Sequence, residues 1–147
     1  MSTTARILVV DDNRSVVRLL ELTLQLAGYE VLTAYDGAEG YSKACGETPD
    51  LIILDVMMPG MDGYEVCRAL QKRDATARIP IVFLTEKGQV NGATDPTKKR
   101  AFNLRVRERI TGFDAGATEF LSKPIVAKDV IEKVRVILEF TQPISDD

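Results

Sequence analysis

The sequence predicts an open, doubly wound α/β fold built on a five-stranded parallel sheet. Three observations point there. Short apolar runs alternate with helical patterns five times along the chain, the rhythm of strand–helix units that place helices on both faces of a sheet through right-handed crossovers. The run LIIL at 51–54 is apolar without a break, as a strand covered on both faces must be. Several apolar runs stop at a polar or charged residue. Open sheets of this kind bind ligands just outside the carboxyl ends of their strands.

Each element has its own local reason. RILVV at 6–10 is a buried strand. In 14–27, Val17, Leu20, Leu24 and Ala27 recur at helical spacing, and Val16 and Leu19 widen the stripe. Gly28 ends that helix. YEVLTA at 29–34 alternates as a short strand, and 37–45 is a modest helix closed by Gly46 and Pro49. LIIL is the third strand, followed by a turn rich in Pro and Gly and a helix over 62–73. Pro80 leads into the strand IVFL at 81–84. TEFL at 118–121 is the last strand and DVIEKVRVILEF at 129–140 the last helix. Residues 141–147 read as a frayed end or linker.

Composition narrows the function. The chain has 147 residues, enough for one domain with a real core. Net charge is -3, so the bulk carries no nucleic-acid signal. No apolar run reaches membrane length and no secretory signal opens the chain. Cys45 and Cys67 sit in helical contexts and read as buried free thiols, which fits a reducing, cytoplasmic compartment. Histidine is absent. That removes imidazole acid/base chemistry, His-ligated zinc and a phosphohistidine on this chain.

The strand ends carry the chemistry. ILVV is followed by Asp11 and Asp12, LIIL by Asp55, IVFL by Thr85, and EFL by Ser122, Lys123 and Pro124. In this architecture all four points lie along one sheet edge. Mg²⁺ seeks carboxylate, carbonyl and water oxygens. Asp11, Asp12 and one oxygen of Asp55 are candidate ligands, with the backbone carbonyl of Met57. The other oxygen of Asp55 is then a nucleophile, since aspartyl phosphate is an accessible covalent species. Thr85 can donate to a phosphoryl oxygen, and Lys123 can pair with another as a mobile point charge. Bland readings stand beside these. The aspartate pair can cap a helix, Asp55 can form a turn, Lys123-Pro124 can be a solvated turn, and Thr85 a plain strand residue. Phe120 can be an ordinary core ring. Met57, Met58 and Met61 read as loop packing, because Mg²⁺ does not seek thioether.

Taken together, ILVVDD, LIILDVMMPGMDG, IVFLT and FLSKP resemble the receiver domain of two-component response regulators over residues 5–140. The resemblance implies a flavodoxin-like, CheY-like sheet of strand order 2-1-3-4-5. It makes Asp55 the phosphoacceptor, Asp11 and Asp12 the acidic pair, Thr85 the switch hydroxyl and Lys123 the partner lysine, with a cis bond to Pro124. Phe120 falls where such domains carry a switch aromatic. The family takes a phosphoryl group from a histidine kinase or histidine phosphotransfer protein with Mg²⁺. It then alters the surface of its fourth helix, fifth strand and fifth helix. It is a signalling domain and not an enzyme beyond its own phosphorylation and slow dephosphorylation. Two other classes remain open. A metal-dependent phosphatase or small-molecule kinase shares the acidic pocket, but no Gly-rich phosphate loop accompanies it. A phosphate-independent interaction module would keep the fold and not need the pocket.

One stretch departs from the family pattern. Thr85 and Lys123 are separated by 37 residues. Residues 86–100 read as an insertion leading into a lengthened fourth helix over 97–115, whose apolar stripe is Phe102, Val106, Ile110, Phe113 and Ala117. Residues 86–111 hold seven Lys/Arg against three acids, leaving -7 for the rest of the chain. Lys98, Lys99, Arg105 and Arg109 are candidates for a partner-protein or homodimer surface, and the bland reading beside it is a solvated face. Direct nucleic-acid contact has no motif in support. The chain reads as a stand-alone receiver or as a receiver cut from a longer protein with an output domain.

Overall fold

The computed structural model describes residues 4–86 and 118–141. Nine elements follow in order: β1 Arg6–Val10, α1 Arg14–Leu26, β2 Glu30–Ala34, α2 Gly37–Glu47, β3 Leu51–Asp55, α3 Gly63–Gln71, β4 Ile81–Glu86, β5 Thr118–Lys123 and α4 Ala127–Thr141. The five strands form one parallel sheet in the order β2-β1-β3-β4-β5. The expected helix at 97–115, the basic residues Lys98, Lys99, Arg105 and Arg109, and all but the first residue of the 141–147 tail lie outside the described residues.

Alternation along each strand divides the core into two layers. Leu8, Val10, Ile52, Leu54, Ile81 and Phe83 face α2 and α3. Ile7, Val9, Leu51, Ile53, Val82 and Leu84 face α1 and α4. Every residue of β3 is buried, as its unbroken apolar run requires. Gly40 lets α2 lie close on the sheet, because a Cβ there would sit 2.8 Å from each Val10 methyl.

Three details of the sequence reading are corrected. Leu19 does not widen the α1 stripe and is 46% exposed. One residue is about 100° of helix rotation, which turns it aside from Leu20. Ala27 is the C-cap and exposed, while Thr23, three residues after Leu20, takes the buried place beside Leu24. Cys67 is buried and Cys45 only half-buried, and both are free thiols.

Candidate functional site

Register aligns the strand ends. Val10 pairs with Leu54, Asp55 with Leu84, and Leu84 with Leu121. Asp11 and Asp55 therefore leave their strands at the same level. Lys123 lies two residues beyond Leu121, opposite Glu86, and its long stem carries the ammonium back toward them. Lys123 Nζ stands 3.0 Å from Asp11 Oδ2 and 3.8 Å from Asp55 Oδ1. The Lys123–Pro124 peptide is cis.

Carboxylate oxygens of Asp11, Asp12 and Asp55 all come within 4.8 Å of one another. Asp11 is 0% exposed and Asp55 2%, whereas Asp12 is exposed at the mouth. The aspartate pair does not cap α1. That role belongs to Asn13, whose Oδ1 accepts from the Ser15 and Val16 amides. The Asn13 amide in turn donates to Asp11 Oδ1 at 2.9 Å. One Asp11 oxygen thus shapes the loop. The other, Oδ2, is buried with no hydrogen bond, and the Lys123 ammonium is its counter-charge.

Such an arrangement is costly by itself. Burial first, and the charge of Asp11 second, push the Asp55 carboxyl from its ordinary 3.8 up to about 7, against the opposing pull of Lys123 and of the Met57 amide. Three hard oxygen donors, one of them buried without a hydrogen bond, are the chemistry of a small divalent cation site. The residues present therefore fit Mg²⁺.

The turn after β3 is held tightly. Met57 N–H lies 3.4 Å from Asp55 Oδ1. Gly63 N–H donates to the Val56 carbonyl at 3.0 Å. A Cβ on Gly63 would collide with the Asp55 carbonyl, so only glycine lets α3 start against the end of β3. A capping box between Asp62 and Glu65 secures that helix start.

Thr85 and Phe120 sit to one side of the acids. Thr85 is half-buried, one residue past Leu84, the β4 partner of Asp55. Phe120 pairs in register with Phe83, and their rings stack at 5.6 Å between centroids. By strand alternation Thr85 lies on the same sheet face, one pleat beyond that pair. The structure thus brings Asp11, Asp12, Asp55 and Lys123 together and sets Thr85 and Phe120 along an adjoining row. Two rim residues escaped the sequence reading: Arg14, and Tyr35, which follows Ala34 at the end of β2. The Arg14 guanidinium carbon lies 4.2 Å from the Tyr35 ring centroid. No local sequence pattern announces a pair formed between the start of α1 and the loop after β2.

Comparison with known proteins agrees with this geometry. The family model for the response regulator receiver domain matches residues 7–135. The DNA-binding dual master transcriptional regulator RpaA of Synechocystis is 37% identical over 139 residues, covering 95% of this chain and 51% of RpaA. The response regulator PleD of Caulobacter vibrioides is 43% identical over 136 residues, covering 92% of this chain and 26% of PleD. The chain thus spans about half the length of the first and about a quarter of the second. Among solved structures, the chemotaxis protein CheY4 of Vibrio cholerae superposes with a TM-score of 0.72 at 34% identity, covering 92% of this chain and 99% of CheY4. Strand order, edge chemistry and these matches agree: the chain belongs to the response regulator receiver domain family.

Proposed function

We propose that this chain is a phosphoacceptor that receives a phosphoryl group on Asp55 from the phosphohistidine of a histidine kinase or histidine phosphotransfer protein. One observation carries the reading. Asp55 is a buried carboxylate at a strand end, with oxygens of Asp11 and Asp12 inside 4.8 Å and the Lys123 ammonium at 3.8 Å. In the transfer, an Asp55 oxygen attacks phosphorus and the P–N bond to the donor imidazole breaks. The electron pair leaves with the imidazole. Water later releases inorganic phosphate and restores the carboxylate.

Asp11, Asp12, Asp55 and the Met57 carbonyl would hold Mg²⁺. When bound, the ion supplies positive charge that offsets repulsion between Asp55 and the incoming phosphoryl group. Lys123 pairs with one phosphoryl oxygen and the Thr85 hydroxyl donates to another. Drawing Thr85 inward frees space along its sheet face, where Phe120 stacks on Phe83, and biases an equilibrium between two packings of that row. The altered surface includes β5, α4 and the basic residues Lys98, Lys99, Arg105 and Arg109. It passes the signal to an output domain, a partner protein or a second copy. Residues 5–140 are the receiver, 86–100 an insertion and 141–147 a tail or linker. The chain works in the cytoplasm as a signalling domain.

Acetyl phosphate or beryllofluoride with Mg²⁺ tests the reading. We expect an adduct on the wild type, detected by mass and lost in Asp55→Ala. Undiminished labelling of a folded Asp55→Ala protein would exclude Asp55 as the acceptor.

A further inference from the structure

Arg14 opens α1 two residues beyond Asp12, a chain distance of at most about 7 Å. Its side chain is exposed. Among the described residues it forms no ion pair, although three carboxylates cluster across the adjoining loop. Its guanidinium carbon lies instead 4.2 Å from the centroid of the Tyr35 ring. Tyr35 is itself anchored. It is partly buried against the core layer beneath α1, and it follows Ala34, whose carbonyl accepts the Asp11 amide hydrogen at 3.2 Å.

This seat has two consequences. An aromatic face attracts the guanidinium as a whole and leaves its N–H donors, which lie around the edge of the plane, free for an anion. It also keeps Arg14 off the acids. A long cation without such a seat would fold onto the carboxylates and compete with a divalent cation for them. Charge balance shows why a cation at the rim matters. With three ionised carboxylates, Lys123 and Mg²⁺ together bring the cluster to neutrality. At long range an anionic donor is then attracted by charge outside the cluster.

We infer that Arg14, seated on Tyr35, is the anion-recruiting residue of this site: it draws the anionic phosphoryl donor to the rim, and Tyr35 is the positioning residue that prevents it from quenching the acidic pocket. This inference rests on the phosphoacceptor reading. Opposite charge at the rim raises local donor concentration without touching the chemical step. The guanidinium also suits phosphate oxygens better than an ammonium would, because its donors form a planar fork.

The test uses the full chain as wild type, Arg14→Ala, Tyr35→Leu and the double variant. Acetyl phosphate labelling is measured against donor concentration, and Mg²⁺ affinity is measured separately by titration followed by NMR. Arg14→Ala should raise the donor concentration for half-maximal rate roughly two- to fivefold at low salt, with an unchanged maximal rate, and the gap should close as salt is added. Tyr35→Leu should weaken Mg²⁺ binding, and adding Arg14→Ala to it should restore that binding. A half-maximal concentration that Arg14→Ala leaves unmoved overturns recruitment. Mg²⁺ affinity that Tyr35→Leu leaves unmoved, or that Arg14→Ala does not restore, overturns the seating role. If even the wild type takes no label, the phosphoacceptor reading fails instead. The Mg²⁺ cycle then still decides the seat, and inorganic phosphate binding to the Mg²⁺-loaded protein, read at the Arg14 Nε–H signal, decides recruitment.

Discussion

Replacing Asp55 with asparagine should stabilise the metal-free protein at alkaline pH. The side chain keeps its shape and loses the charge that burial and Asp11 oppose. The Asp55 carboxyl ordinarily titrates at 3.8 and is pushed up to about 7 in the folded chain. The folded state therefore holds a proton that the unfolded chain has already released between these two values. Stability falls as pH rises across that window, and the loss is complete above the folded value. At about 1.4 kcal/mol per pKa unit the full shift corresponds to roughly 4 kcal/mol, and screening by water at the open mouth reduces this to on the order of 2–4 kcal/mol. Urea unfolding followed by circular dichroism, with EDTA present, measures it. The variant should exceed the wild type by that amount at pH 8 and converge with it near pH 4. Saturating Mg²⁺ should narrow the gap at pH 8, because a ligand of the folded state stabilises it by mass action. A gap of zero at pH 8, or one independent of pH, would refute the argument that Asp55 is electrostatically strained.

Three further changes follow from the same geometry. Asp12→Ala should weaken Mg²⁺ binding by at least the roughly tenfold that lesser changes around a metal cost, read by titration; unchanged affinity removes Asp12 from the ligand set. Thr48 ends α2 in the left-handed region at φ 41°, where a β-branched residue is strained, so Thr48→Gly should raise stability by about 0.5–1 kcal/mol in thermal or urea unfolding. Gly63→Ala must push the Asp55 carbonyl and Val56 Cα aside, and should cost about 1–3 kcal/mol and slow acetyl phosphate labelling together. Labelling at the wild-type rate would mean that the turn yields without moving Asp55.

Much of this protein was legible in its sequence because the signals are local. Strands and helices write their own periods: the unbroken LIIL run became the fully buried β3, and Val17, Leu20 and Leu24 became the buried face of α1. The strand ends point to the acidic residues, since a parallel sheet sends the carboxyl end of every strand to one edge. Other features depended on contacts between distant segments. Whether Asp11 and Asp12 cap a helix or face a pocket turned on Asn13 taking the cap, a choice made by loop geometry. The exposure of Leu19 and the burial of Thr23 followed from how α1 is rotated against the sheet. The strain on Asp55 comes from burial and from Asp11 just past the end of another strand, and Lys123 from a third opposes it. The Arg14 seat on Tyr35 joins the first residue of α1 to the loop after β2. The sequence alone determined the fold class and pointed to Asp11, Asp12, Asp55 and Lys123 as residues that meet at one sheet edge, because periodicity and strand ends are properties of short segments. Tertiary structure alone decided which oxygens are buried, which cation each carboxylate meets and where the rim charge rests, because these depend on distances that only the packed chain defines.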